Sequence, residues 1–218
     1  KMSLIPKNLP HTAPWLCPRT TALAASTAFS QERSKSYEKQ REFCSQNNWS
    51  DGDRVSSRDL RETTIASTGR LDVDSGRNGG VSVKGEDRSD ILVRACIQAW
   101  GPSEAAAKAA VAGIRVNTAG TIKAESSGED NNWSVSYDIR VPRNIDVSLT
   151  AHNGGISISS VSGKMEFGTT NGGVFLSDVA GDVKGRTTNG GVFVKLNGST
   201  WSGNGLDVTT TNGGVKLE

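Results

Sequence analysis

The sequence predicts an all-β protein whose C-terminal half is a parallel β-solenoid with rungs of 18 residues, and the general rule for parallel crossovers makes it right-handed. First, Asn-Gly-Gly recurs at 153–155, 171–173, 189–191 and 212–214, at intervals of 18, 18 and 23 residues. Second, the 218 residues include 25 glycines, and only 34% are hydrophobic, which favours short strands joined by tight turns. Third, apolar and polar residues alternate from Arg70 onward, as is typical of strands.

Residues 1–30 resemble a leader with the features of a signal peptide. Basic residues Lys7 and Arg19 precede a short apolar stretch at 20–29, and Ala28-Phe29-Ser30 resembles a cleavage site. The alternative interpretation is a disordered, proline-rich leader. The signal-peptide interpretation predicts export to the periplasm, the cell envelope or the extracellular space.

Cysteine usage also favours export. The chain has three cysteines, and removal of the leader would leave an even pair, Cys44 and Cys96. Paired cysteines are typical of oxidising compartments. We therefore predict a disulfide between these two residues in the mature protein.

Two segments precede the repeats. Residues 31–68 are polar without clear periodicity, and we predict an extended lead-in with little regular structure. Residues 69–142 are predicted to be strand-rich, with one helix at about 103–112 that begins at the N-cap Ser103 and ends at Gly113. In this part, alternation predicts strand at 71–74 and 81–83, on the two sides of the turn Asn78-Gly79-Gly80. The other strands predicted here are 90–100, 114–116, 121–125 and 133–141.

Residues 143–218 are predicted to form the stacked rungs. Each 18-residue repeat consists of two nine-residue halves, and each half supplies alternating inward residues. A single rung buries too little apolar surface to offset the entropy of ordering it, so repetition stabilises the fold. One inward face stacks Ile156, Val174, Val192 and Val215 beside Ile158, Leu176, Val194 and Leu217; the other stacks Val147, Met165, Val183 and Leu206 beside Leu149, Phe167, Gly185 and Val208.

The repeated turns have a structural interpretation. Glycine permits positive φ at a corner, and asparagine tolerates it better than most residues. Stacked asparagines are also expected to exchange amide hydrogen bonds between rungs. This predicted ladder consists of Asn153, Asn171, Asn189 and Asn212.

The strand WSVSYDIRVP (133–142) and the repeats that begin with NGGISISSVSGKMEF (153–167) resemble the bacterial putative-adhesin family, a domain of unknown function. Its pattern is a strand that ends in Val-Pro, followed by Asn-Gly repeats. The resemblance covers about residues 70–218 and implies an exported or envelope-associated β-solenoid. It supplies no catalytic residues.

The sequence indicates no cofactor, metal site or catalytic centre. A net charge of +2 without a basic stripe argues against nucleic-acid binding. No apolar run is long enough to predict a transmembrane segment. The two histidines, His11 and His152, lie in no catalytic motif, and His152 occupies a corner position where other repeats have threonine.

The outward residues suggest an interaction surface. Phe175 and Phe193 lie one rung apart on the solvent side of the first face, and Trp201 is another exposed aromatic candidate. The stripe is either covered by the lead-in of the chain itself or contacts a partner, a glycan or a second subunit.

The leading functional hypothesis is a non-enzymatic exported module, an adhesin or a structural protein. One alternative is a protein that binds or cleaves polysaccharide, but the outward column Ser148, Glu166, Lys184 and Asp207 predicts a charge ladder rather than a pair of catalytic acids. The other alternative is a scaffold that self-associates through its open ends. Because Glu218 follows only half a rung, we expect a C-terminal fragment with exposed apolar residues at that end.

Overall fold

The computed structural model describes residues 43–44, 54–128, 132–196 and 201–218, all within one compact unit, Phe43–Glu218. The predicted leader, residues 1–30, lies outside the described residues. Two β-sheets and one helix make up the described part of the chain, and an apolar core lies between the sheets.

The strands and the helix follow one another in this order: β1 (Val55–Ala66), β2 (Arg70–Asp74), β3 (Val81–Glu86), β4 (Asp90–Gly101), α1 (Glu104–Gly113), β5 (Ile114–Asn117), β6 (Ile122–Ser126), β7 (Trp133–Pro142), β8 (Asp146–Asn153), β9 (Ile156–Ser159), β10 (Ser162–Asn171), β11 (Val174–Ser177), β12 (Ala180–Asn189), β13 (Val192–Lys195), β14 (Gly205–Asn212) and β15 (Val215–Leu217).

Both sheets are mixed. The eight-stranded sheet has the order β1-β4-β7-β3-β9-β11-β13-β15, and the seven-stranded sheet has the order β14-β12-β10-β8-β2-β6-β5. The β1–β4, β4–β7 and β5–β6 pairs are antiparallel, and the other pairs are parallel. The all-β class with one short helix is confirmed. Because the sheets are mixed, the description of the C-terminal half as a right-handed parallel solenoid stays a prediction.

The repeats pair in the register that their period predicts. Met165 on β10 lies opposite Val147 on β8 and Val183 on β12, so each neighbour is 18 residues away. On the other sheet, Val174 pairs with Ile156 and Val192 in the same way. The apolar members of the inward columns are buried from β8 to β13, with Phe167 the most accessible of them at 6%, whereas Gly185 is half-buried. At β15, by contrast, Val215 and Leu217 are 54% and 64% exposed.

One inward position, on β12, is occupied by a glycine. A Cβ atom on Gly185 would lie 1.9 Å from Cε2 of Phe167, one strand away. The Phe167 ring therefore fills the space that a side chain at 185 would occupy. Glycine and a large neighbour together keep the column closely packed.

The stack begins earlier in the chain than residue 143. Leu71 on β2 pairs with Val147, and Val81 on β3 pairs with Ile156, so these two strands add a rung before the predicted first one. Asn78 bridges to Asn153 between them. Strands β4 to β7 and helix α1 form an excursion between this rung and the next.

The prediction of little regular structure in residues 31–68 is wrong for β1. This strand pairs with β4 over twelve residues. It is an edge strand with no fully buried residue, so it shows no clear hydrophobic alternation. Backbone pairing holds it, and Arg61 on its surface donates hydrogen bonds to the carbonyls of Val111 and Ile114 at the end of α1.

Helix α1 lies where the sequence predicts it. The Ser103 hydroxyl accepts a hydrogen bond from the Ala106 N–H at 3.2 Å, which satisfies one of the free donors of the first turn. Ala107 and Val111 form its buried side. In the described part of the chain, no helix has the length and apolar character to span a membrane.

Candidate functional site

Phe175 and Phe193 form a stacked pair on the outer face of the eight-stranded sheet. They are register partners on β11 and β13, and their rings lie 5.1 Å apart at an interplanar angle of 4°. Lys216 on β15 covers the far side of Phe193, with Nζ 5.5 Å from the ring centroid. Phe175 is 41% exposed, and its strand pairs on the other side with Ser157, which is too small to cover the ring.

An apolar groove continues from this pair across the sheet. Phe175 and Phe43 both line it, together with the outward residues Ser82 and Ser157 and the glycines of the neighbouring turns. Because serine replaces phenylalanine on β3 and β9, the floor of the groove is lower than its aromatic ends.

A disulfide places Phe43 on this face. Cys44 is bonded to Cys96 on the outer side of β4, with Cα atoms 5.4 Å apart and a sequence separation of 52 residues. Such a crosslink removes much of the freedom of the intervening chain in the unfolded state. The position of Phe43 therefore depends on a covalent bond as well as on packing.

Phe43 lies over a buried ion pair that the sequence analysis missed. Its ring centroid is 5.7 Å from Cζ of Arg94, a cation–π distance. Arg94 donates to Oδ2 of Asp138, and Arg140 donates to the same oxygen at 3.0 Å. Although Arg94 and Asp138 belong to the outer face, they are only 5% and 7% exposed. Mutual neutralisation makes burial of these charges tolerable.

Trp201 is half-buried rather than exposed, which corrects its choice as an exposed aromatic residue. Its Nε1–H donates to the Gly181 carbonyl at 3.0 Å, and the ring packs against the apolar core. Burial with a satisfied polar atom is the usual state of an indole ring. The candidate aromatic surface therefore consists of Phe175 and Phe193, with Phe43 at the other end of the groove.

The Asn-Gly-Gly corners form a hydrogen-bonded ladder. The asparagine amides donate in sequence from one rung to the previous one: Asn153 to Asn78 at 3.0 Å, Asn171 to Asn153 at 2.8 Å, Asn189 to Asn171 at 2.7 Å and Asn212 to Asn189 at 2.7 Å. The ladder holds the rungs in register and leaves the corner without a group for chemistry.

The first glycine of each corner is needed for a different reason from the one predicted. Positive φ occurs at Gly79 but not at Gly154, Gly172, Gly190 or Gly213. A Cβ atom on Gly172 would instead lie 2.1 Å from the Gly154 carbonyl oxygen, and the other corners are equally close. Backbone rungs touch at this corner, so no side chain fits between them.

The outer face of the seven-stranded sheet is a shallow polar trough. Three rows of side chains cross β8, β10, β12 and β14, and we name them the charged row, the arginine row and the threonine row. The charged row is Ser148, Glu166, Lys184 and Asp207; the arginine row is Thr150, Gly168, Arg186 and Thr209; the threonine row is His152, Thr170, Thr188 and Thr211.

The predicted charge ladder does not form as ion pairs between rungs. Glu166 pairs with Lys164 on its own strand, at 2.9 Å, because the two side chains lie two residues apart on the same face. The hydrogen bond and charge of Lys164 hold the pKa of Glu166 below its ordinary value. Lys184, next in the row, makes no salt bridge to the described residues.

No group of three or more metal-ligating side chains occurs within residues 43–44, 54–128, 132–196 and 201–218. His152 lies at the corner, where its Nδ1 is 3.1 Å from the Thr170 hydroxyl. Its partner is thus the corner threonine of the next rung, in keeping with a structural position.

No family model matches the chain, and no curated protein sequence matches it. Among solved structures, a putative cell adhesion protein from Clostridium sporogenes is similar with 12% identity and a TM-score of 0.46, over 74% of this chain and 99% of the other. A putative adhesin from Parabacteroides distasonis has 7% identity and a TM-score of 0.30, over 73% and 78%. A putative adhesin from Bacteroides fragilis has 11% identity and a TM-score of 0.26, over 74% and 97%. At such low scores and identities, the likenesses assign no function to this chain.

Proposed function

We propose that the chain is an exported, non-enzymatic interaction module of the adhesin type, whose repeats form a right-handed parallel β-solenoid. The observation that carries this proposal is the outward, stacked pair of the exposed Phe175 and the half-buried Phe193. Outward phenylalanines one strand apart on a sheet are not needed for the core, and contiguous exposed apolar groups mark interaction sites.

The scaffold beneath the pair supports a binding role. Phe175 and Phe193 stand on strands whose inward neighbours, such as Val192 and Leu176, are almost fully buried. Strand pairing and the asparagine ladder fix the distance between rungs at both sheets. A surface that is ordered before binding loses little entropy when a partner arrives, which favours affinity.

The acids of the polar trough do not support glycoside hydrolysis. That reaction requires a carboxylic acid whose pKa is raised so that it can donate a proton. Lys164 shifts the pKa of Glu166 in the opposite direction. Asp207 is separated from Glu166 by the strand that bears Lys184. This arrangement suits polar contacts with a ligand rather than general acid catalysis.

We expect replacement of both phenylalanines by serine to reduce binding of the labelled protein to envelope fractions of the source cells by at least about tenfold. Serine occupies the same row at Ser157, so the sheet should accept it without loss of fold. Binding isotherms of Phe175→Ser/Phe193→Ser measure the effect, and circular dichroism verifies folding. The matched control is Val55→Ser, another exposed apolar residue, 39% accessible, on the β1 edge strand. Equal binding by the double variant, or an equal loss in the control, would contradict the proposal.

Export is tested independently by cell fractionation. We expect the full-length protein in the envelope, periplasm or medium, with the bond between Cys44 and Cys96 oxidised, because disulfides persist in oxidising compartments. Thiol labelling before and after reduction reports the state of the two cysteines in each fraction. A cytoplasmic protein in which Cys44 and Cys96 are both free thiols would refute export. The aromatic surface is tested separately, by the binding assay of the double variant.

A further inference from the structure

The arginine row of the seven-stranded sheet contains a vacant side-chain position at Gly168. Gly168 pairs with Thr150 on β8 and with Arg186 on β12. A Cβ atom on Gly168 would have no other atom within 4 Å. Adjacent strands are ~4.8 Å apart, so the Cα atoms of Thr150 and Arg186 lie about 10 Å apart. Gly168 places no side chain between them, which leaves a gap on the surface of the sheet.

Arg186 stands beside this gap without a counter-ion. Its side chain is exposed and forms no salt bridge or hydrogen bond with the described residues. An unpaired guanidinium next to open space is suited to a planar carboxylate, which it binds through two parallel hydrogen bonds. By contrast, several other arginines each hold a carboxylate of this chain: Arg61, Arg70, Arg88, Arg94 and Arg140.

Free hydroxyl groups line the same trough. Thr169, Thr187 and Thr210 point inward and donate to glycine carbonyls of the corners at 2.7–2.8 Å. Their outward neighbours Thr188 and Thr211 are exposed, and the hydroxyl groups of these two residues make no hydrogen bond within the described part of the chain. Thr150 lies beside the gap and Thr209 lies on the other side of Arg186, and both extend the hydroxyl surface. Hydroxyls therefore recur at the spacing of the strands.

A ligand that matches this surface has many hydroxyl groups and a sparse negative charge. We propose that the trough binds a glycan that contains carboxylates, a uronic acid oligosaccharide. Its carboxylate lies on Arg186 above Gly168, and its hydroxyls bond to the threonines of the arginine and threonine rows. This site is distinct from the Phe175–Phe193 surface, which lies on the other sheet, so the inference goes beyond the proposed function.

The neighbouring charges favour this ligand over a dense polyanion. Glu166 and Asp207 flank Lys184 in the charged row, next to the arginine row. A nucleic acid or polyphosphate would place several phosphates against these carboxylates, and like charges repel. A glycan with a single carboxylate at Arg186 avoids that repulsion and keeps the ion pair.

The test uses oligogalacturonate as the probe and the same oligomer with methyl-esterified carboxyl groups as its neutral counterpart, titrated calorimetrically. We expect the acid form to bind at least about tenfold more tightly than the ester, because only a free carboxylate pairs with Arg186. Arg186→Gln should weaken binding of the acid form by a similar factor. Gly168→Thr should also weaken binding of the acid form, although Arg186 is still present, because the threonine side chain occupies the gap. Since the new side chain meets no other atom, we expect the melting temperature to stay unchanged or to rise.

Lys195→Gln is the matched control, because it removes one exposed positive charge from the other sheet. It should change affinity less than about twofold, whereas a loss equal to that of Arg186→Gln would show only general electrostatic attraction. The inference is overturned if the acid form does not bind, if the ester binds equally, if Gly168→Thr binds like the unmodified protein, or if a polyglutamate peptide binds as tightly as the glycan. Phe175→Ser/Phe193→Ser should bind the oligomer normally, which separates this result from the outcome for the proposed function.

Discussion

Val192→Asp is expected to lower the free energy of unfolding by at least about 3 kcal/mol, because an unpaired carboxylate would replace a core side chain. Val192 is 2% exposed and lies between Val174 and Val215 in an inward column. The next residue, Phe193, points outward, and Phe193→Asp should cost about 1 kcal/mol through loss of the stack with Phe175. Urea unfolding followed by circular dichroism measures both losses.

The pair of variants tests the inward and outward assignment of a whole strand. A shift of one residue in register would exchange the two faces, so the larger loss would then belong to Phe193→Asp. Equal losses would show that neither side chain faces the core alone. Lys216, which lies over Phe193, is expected to moderate the effect of an aspartate there by pairing with it.

Gly172→Ala is expected to destabilise the protein by about 3 kcal/mol, because the added methyl group would overlap backbone atoms of the previous rung. Its Cβ would lie 2.1 Å from the carbonyl oxygen and 2.5 Å from the carbonyl carbon of Gly154. Since both atoms belong to a paired backbone, relief requires the rungs to separate. Thermal or urea unfolding gives the size of the loss.

Gly168→Ala is the control for this substitution on the same strand. Its Cβ would meet nothing within 4 Å, so we expect a change within about 1 kcal/mol, in the stabilising direction through reduced freedom of the unfolded chain. If Gly172→Ala were tolerated as well as Gly168→Ala, close approach of the rungs would not be the reason for glycine at the corners.

The inward columns could be predicted from the sequence because the repeat fixes two things at once. A period of 18 residues places Val147, Met165 and Val183 side by side, and alternation within each strand decides which residues face inward. The asparagine ladder follows from the same period. The sequence also predicts Phe175 and Phe193 as outward neighbours, since they occupy the position next to an inward valine in each repeat.

Elements held by distant contacts could not be predicted in this way. Strand β1 has no alternating pattern because it packs on an edge, and its partner β4 is specified by backbone pairing. The rung formed by β2 and β3 repeats the Asn-Gly-Gly corner at Asn78, but the long excursion that follows it conceals the period. The reason for glycine at the corners also depends on the distance between rungs, which sequence alone does not provide.

The candidate sites likewise depend on contacts that the local sequence does not show. Phe43 reaches the aromatic groove because a disulfide spans 52 residues, and no local pattern indicates its position. Arg186 gains its significance from the side chain that is absent at Gly168, its register partner. The repeat does indicate this pair, because Gly168 and Arg186 are one period apart. From the sequence, however, only the charged row, which contains the carboxylates, is considered, and the neighbouring arginine row is not.

The first rung, β2 and β3, stacks directly on the second rung, β8 and β9, although the excursion of β4 to β7 lies between them in the chain. The amide bond from Asn153 to Asn78 joins residues 75 positions apart, whereas the bond from Asn171 to Asn153 joins residues 18 positions apart. Closing the longer loop costs only about 1.3 kcal/mol more in chain entropy, because that cost grows with the logarithm of loop length. The hydrogen bond between the asparagine amides is nearly the same in both cases, at 3.0 and 2.8 Å. In this architecture, therefore, an additional folded segment can be inserted at the turn opposite the Asn-Gly-Gly corner, between β3 and β8, while the neighbouring rungs keep their register.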